Sequence, residues 1–238
     1  MDTHHPQQQE LNIGQIPAIL WGAPSDKLFL YVHGLNGCKE EAKAFARHAN
    51  AHGWQVLSFD MPGHGSRPPV KYGLVPWEVV PDLEQVYEYI APKYKELALY
   101  CVSAGAYFSM VSYHDKPFSR ALFVSPILDM QELIKGLMAK AGVSEEELFE
   151  RQIIDTQMGF WLIWDYWVFV NEHPLEHWPV PTSILYPCKD VFTSRELADR
   201  FACCFDVDLE CYEEGEHWFH TPSQLKRLST WISNQLDK

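Results

Sequence analysis

Positive charge is scarce in this sequence. Its 19 Lys and Arg face 32 Asp and Glu, which leaves a formal net charge of −13. That balance argues against nucleic acid and anionic membrane surfaces as partners, and it does not identify a substrate. Long hydrophobic runs are absent too. The most apolar stretch, 160–170, carries Asp165 and is shorter than the roughly 20 residues a membrane-spanning helix needs. The six cysteines show neither the regular spacing of a disulfide framework nor that of metal ligands. Cys203 and Cys204 are adjacent and read as half-buried helix residues rather than redox partners. No repeat or low-complexity segment occurs. The opening MDTHHPQQQE has neither the basic nor the apolar region of a secretory leader. The expectation is a soluble, reduced, cytoplasmic protein.

What the sequence has in quantity is apolar residues, 47% of 238, enough to bury the core of one α/β domain. The first ten residues read as frayed. Strands are then expected at 11–21 and 27–32, the second (KLFLYV) apolar throughout, as befits a strand covered on both faces. A helix at 39–52, a strand at 53–60, a helix at 79–94 and strands at 97–102 and 121–125 follow. This alternation predicts a doubly wound, mostly parallel sheet with right-handed crossovers. From 129 to 178 the pattern turns helical and aromatic, with helices expected at 131–141 and 144–152. Afterwards it resumes: strand 182–186, helix 194–205, strand 207–212, helix 223–236. Residues 1–238 therefore read as one domain, with a helical cap of residues 129–178 inserted over the sheet edge where open α/β sheets bind ligands.

The stretch 97–110, LALYCVSAGAYFSM, joins an apolar strand to a helix through small residues, with Ser103 at the turn. A serine there projects its hydroxyl, and the N–H groups of the following helix face any developing anion. Cys101-Val102-Ser103-Ala104-Gly105 resembles the nucleophile elbow G-x-S-x-G, with cysteine in place of the first glycine. Taken alone, the pentapeptide reads equally well as an ordinary strand-to-helix turn holding a buried serine.

Two further residues fall on loops at the same sheet edge: Asp190 after strand 182–186 and His217 after strand 207–212. A serine hydroxyl needs a base within hydrogen-bond reach, histidine suits that role, and a carboxylate orients the imidazole. With His33-Gly34-Leu35, Asp60-Met61-Pro62-Gly63-His64-Gly65-Ser66 and Gly215-Glu216-His217, the chain resembles the α/β-hydrolases from residue 28 onward, the cap excepted. The resemblance implies Ser103 as nucleophile, His217 as base, Asp190 as acid and an oxyanion hole of the Leu35 and Ala104 N–H groups. Asp129 is the competing acid. His33 is placed among the substrate-binding residues, supporting its loop rather than acting as a base. His64 and Asp60 read as structural. A serine nucleophile speaks against the dehalogenase and epoxide-hydrolase branches, which use aspartate.

Helical spacing puts Phe160, Trp164 and Trp167 on one face, either packing the cap or lining a pocket. The reading is a carboxylesterase acting on a small or medium acyl or aromatic ester, with neither metal nor organic cofactor. A thioesterase, an acylglycerol lipase, a C–C or amide hydrolase and a non-catalytic ligand-binding protein are the alternatives. The HGGP pattern of proline-specific peptidases is absent. Monomer and homodimer both remain open.

Overall fold

The computed structural model describes residues 7–238, so residues 1–6 of the segment read as frayed lie outside the described residues. Residues beyond them are ordered into strand β1 (Gln8–Ile13), which pairs antiparallel with β2 (Ile16–Trp21). The single strand expected at 11–21 is therefore a hairpin. Its two-residue turn, Gly14-Gln15, has positive φ (60°) at Gly14 only, as a type II′ turn requires.

The parallel part of the sheet is built from β3 (Lys27–Val32), β4 (Gln55–Phe59), β5 (Glu96–Val102), β6 (Arg120–Val124), β9 (Thr182–Pro187) and β10 (Asp208–Tyr212). The eight strands run in the order β1-β2-β4-β3-β5-β6-β9-β10, with only the β1–β2 and β2–β4 pairs antiparallel. Strand β3 shows why its sequence is apolar throughout. Leu28, Leu30 and Val32 join the core on one face, while Phe29 and Tyr31 join a second core on the other. The second core holds Phe45 of α1 (Ala42–Ala51) and Trp231 of α8 (Pro222–Leu236). The first takes α2 (Pro76–Ile90), α3 (Ala104–Tyr113) and α7 (Arg195–Phe205).

Helix boundaries follow local chemistry. Residues 39–41, expected in the first helix, form a 3-10 turn before α1. Helix α2 starts earlier than periodicity suggests because Pro76 sits at its first turn, where no N–H is needed. Helix α8 opens on a capping box between Thr221 and Gln224. Cys203 and Cys204 are exposed rather than half-buried, because the inward stripe of α7 is Leu197, Ala198 and Phe201.

Between β6 and β9 lie α4 (Met130–Ala141), α5 (Glu145–Arg151), β7 (Ile153–Asp155), β8 (Trp161–Ile163) and α6 (Trp164–Glu172). This segment is not purely helical, since β7 and β8 form an antiparallel hairpin that buries Ile154 and Leu162. No helix among the described residues is long and apolar enough to cross a membrane.

Phe29 is fully buried, with its ring centroid 5.1 Å from Phe45 and 4.5 Å from Trp54. Phe29→Ala is expected to cost about 3–5 kcal/mol of stability by urea denaturation. A loss under about 1 kcal/mol contradicts the two-core packing.

Candidate active site

Ser103 lies between the end of β5 and the start of α3 at φ 51°, ψ −121°, a backbone region that a serine enters only when its surroundings impose it. Its N–H donates to Val124 O (3.1 Å), and its carbonyl accepts from the N–H groups of Ala106 (3.0 Å) and Ile127 (3.1 Å). Close packing explains the small neighbours. A Cβ on Gly105 would lie 2.5 Å from the carbonyl oxygens of both Val32 and His33, and one on Gly34 would lie 2.9 Å from Ser103 Cβ. Cys101, where the elbow pattern has glycine, is fully buried and donates its S–H to Ser109 Oγ at 3.2 Å. Burial pushes this thiol up to about 12, so it stays protonated.

The loops after β9 and β10 meet at Ser103. Its Oγ is 2.8 Å from His217 Nε2, and His217 Nδ1 is 2.8 Å from Asp190 Oδ2. The other Asp190 oxygen accepts from the N–H groups of Phe192 (2.8 Å) and Thr193 (3.3 Å). The Asp190 side chain is wholly out of solvent, and the His217 ring keeps 18% of its surface exposed. The Phe192 ring stands edge-on to that imidazole at 4.7 Å. Thr193 donates its hydroxyl to Pro126 O (2.7 Å), which ties the acid loop to the end of β6. Asp129, the competing acid, caps α4 by accepting from Glu132 N at 3.0 Å.

His33, expected among the substrate-binding residues, does not line the large cavity next to Ala104. It is fully buried, and both ring nitrogens are engaged by backbone. Met61 N–H donates to Nε2 (3.0 Å), which makes Nδ1 the protonated nitrogen, donating to Gly34 O (2.7 Å). Burial lowers its pKa to about 4, so the ring is a neutral brace between two loops. Beside it, Asp60 accepts from Lys39 N (2.8 Å), Lys39 Nζ (2.7 Å), Ser66 N (2.9 Å) and Ser66 Oγ (2.9 Å). Burial opposes its ionisation, but the hydrogen bonds from Lys39 and Ser66 outweigh that and hold its pKa below the ordinary value. His64 is buried beside His33 and donates from Nδ1 to Pro62 O (2.8 Å).

A cavity of about 590 Å³ is lined among others by Ala104, the residue after Ser103, and by Leu35, Phe108, Phe160, Trp161 and Tyr166. Leu35 and Ala104 each keep a backbone N–H that donates to no other group among the described residues. Of the three aromatics expected on one helical face, only Phe160 lines this cavity. The helix begins at Trp164, after β8, so helical spacing does not connect Phe160 to the others. Trp164 instead meets Phe149 edge-on at 5.0 Å, and Trp167 is buried beneath Lys135. Trp161 and Tyr166 of the same aromatic run line the cavity as well, together with the loop 69–74, for which the sequence carries no signal.

The sequence matches the family described as Serine aminopeptidase, S33, over residues 23–158. No curated protein matches it. Among solved structures it is similar to Est1E of Butyrivibrio proteoclasticus with ferulic acid bound, at 16% identity and TM-score 0.77, covering 96% of this chain and 97% of that one. Mouse alpha/beta hydrolase domain-containing protein 10 superposes at TM-score 0.75 and 15% identity, covering 97% and 98%. The monoacylglycerol lipase of Paleococcus ferrophilus gives 0.68 at 18%, covering 93% and 98%. At such identities the likeness is one of fold.

A neutral His33 makes the fold acid-sensitive. The unfolded ring takes up a proton near 6.5 and the folded ring only near 4, so stability is lost as pH falls through that window. Between pH 7.5 and 4.5 the wild type is expected to lose about 2.5 kcal/mol more than His33→Asn in urea denaturation. Equal losses in the two proteins contradict the assignment.

Proposed function

The chain belongs to the Serine aminopeptidase, S33 family of hydrolases, and on that premise we propose that it is a serine carboxylesterase acting through Ser103, His217 and Asp190. The observation that carries this reading is the unbroken relay from Ser103 Oγ through His217 to Asp190, at 2.8 Å for each step. In the reaction, His217 Nε2 takes the proton of Ser103 as Oγ bonds to the ester carbonyl carbon. The resulting imidazolium is held in place by Asp190. The oxyanion is stabilised by the N–H groups of Leu35 and Ala104, a donor pair of which each member is typically worth about 10²–10³ in rate. The imidazolium then protonates the departing alkoxide as the C–O bond breaks, and water, deprotonated by the same histidine, hydrolyses the acyl-enzyme and regenerates Ser103. Residues 129–178 serve as the cap over this site.

The leaving oxygen must face His217, its proton donor. The cavity opens on the other flank, beside Leu35 and Ala104, and so receives the acyl group. That arrangement favours an ester over the aminopeptidase substrate in the family description. An aminopeptidase must hold the protonated amine of the residue on the acyl side, and no Asp or Glu among the described residues lines the cavity. The solved relatives differ among themselves in what they hold or act on, ferulic acid in one and a monoacylglycerol in another, and so do not select the acyl group.

Hydrolysis of 4-nitrophenyl esters from acetate to octanoate by wild type and Ser103→Ala, with fluorophosphonate labelling, tests the reading. The variant is expected to lose at least about 10⁴-fold in kcat and all labelling. Labelling at Ser103 without ester turnover points to an amide, thioester or C–C substrate. Neither labelling nor turnover in the folded protein contradicts the enzyme reading.

A further inference from the structure

The cavity beside Ser103 has a charge pattern at odds with the rest of the chain. A protein with a net charge of −13 lines this space, among the described residues, with no carboxylate and with one lysine, Lys71. Lys71 makes no ion pair among the described residues. Its Nζ lies 4.8 Å from the centroid of the Tyr72 ring and 5.9 Å from that of Trp161. These two rings meet edge-on at 5.4 Å and 74°. Tyr72 belongs to the loop 69–74, every residue of which lines the cavity, whereas Trp161 belongs to β8 of the inserted segment. The lysine thus stands, solvent-exposed, at the rim where the body and the insertion meet, its ammonium near two π-faces and in no ion pair among the described residues.

We infer that Lys71 is a specificity-determining residue which recognises an anionic group at the far end of the acyl chain, so that the favoured substrates are esters of acids carrying a second, ionised carboxylate. This rests on the serine-esterase reading, because it is the position of His217 that assigns the cavity to the acyl side. The remaining lining supports the division of labour. Phe108, Phe160 and Leu133 offer apolar contact to the methylene or aromatic part of the acyl group, and Lys71 meets its charged terminus. A net acidic surface repels anions at long range. Screening confines that repulsion to about 8 Å at physiological salt, so a local cation decides the sign at the mouth of the cavity. Unsubstituted fatty acyl groups would leave Lys71 unmatched.

The test compares 4-nitrophenyl monoesters of adipic, suberic and sebacic acids with 4-nitrophenyl hexanoate, octanoate and decanoate, which have matching chain lengths. For at least one pair, the ratio of kcat/KM for the carboxylated ester to that for the neutral one is expected to fall about fivefold in Lys71→Met. Lys71→Arg is expected to preserve the ratio, and raising the ionic strength to lower it in wild type. Ratios unchanged in Lys71→Met for all three pairs overturn the inference. Isothermal titration of methyl hydrogen suberate into Ser103→Ala, with and without Lys71→Met, reads the same contact without chemistry. About a fivefold weaker Kd in the double variant supports the inference, and equal affinities overturn it. Turnover of the neutral esters separates the two claims. Turnover with Lys71-independent ratios removes only the anionic subsite, whereas Lys71-dependent binding without turnover of any ester removes only the esterase reading.

Discussion

A serine held at positive φ between a buried strand and a helix is the constraint that organises this molecule. Such a conformation costs on the order of 1–3 kcal/mol and persists only where its surroundings leave no alternative. Here the surroundings are specific. The Ser103 backbone is fixed on both sides by hydrogen bonds to Val124, Ala106 and Ile127, and Gly105 lets the carbonyls of Val32 and His33 approach too closely for any Cβ. Gly34 lets the loop after β3 pass directly over the serine. That loop is braced in turn by neutral His33, whose ring reaches the chain after β4 at Met61. Strands β3, β4 and β5 are neighbours in the sheet, so one strained residue draws three of their ends into a single rigid edge.

The same edge explains the polarity of the site. Strands β9 and β10 lie on one side of β5, and their loops bring Asp190 and His217 to Ser103 from that side. Strands β3 and β4 lie on the other, and their loops, with the inserted segment above, enclose the cavity. The hydrogen-bonded chain Ser103–His217–Asp190 and the loops around the cavity therefore approach the turn at Ser103 from opposite sides of β5. In the proposed reaction this is what separates leaving group from acyl group. Asp190 receives two backbone N–H bonds on one carboxylate oxygen and meets His217 with the other, which fixes the orientation of its side chain.

Much of this was legible in the sequence, for identifiable reasons. Buried parallel strands write themselves as apolar runs such as KLFLYV, and the glycine turns that follow mark the sheet edge where a site forms. The chain order of Ser103, Asp190 and His217 on such loops pointed to one location, where the structure brings them within hydrogen-bond distance. Other features were hidden because they depend on packing rather than pattern. Buried polar rings and substrate-facing rings share the same local sequence signals, so His33 was placed among the substrate-binding residues although its nitrogens are consumed by Gly34 and Met61. Trp164 and Trp167 were grouped with Phe160 by a helical period that the β7–β8 hairpin interrupts. Lys71 gave no signal at all. A lysine in a loop is unremarkable until the missing carboxylates around it are seen in three dimensions.

The measurement closest to the central claim is peptide mapping by mass spectrometry of protein acid-quenched during turnover of an activated ester. The account predicts the acyl mass on the peptide containing Ser103, at the serine itself, and its disappearance in Asp190→Ala/His217→Ala protein quenched at the same time. An acyl group on Cys101 or on another residue, or steady turnover with no acylated species in wild type, contradicts it.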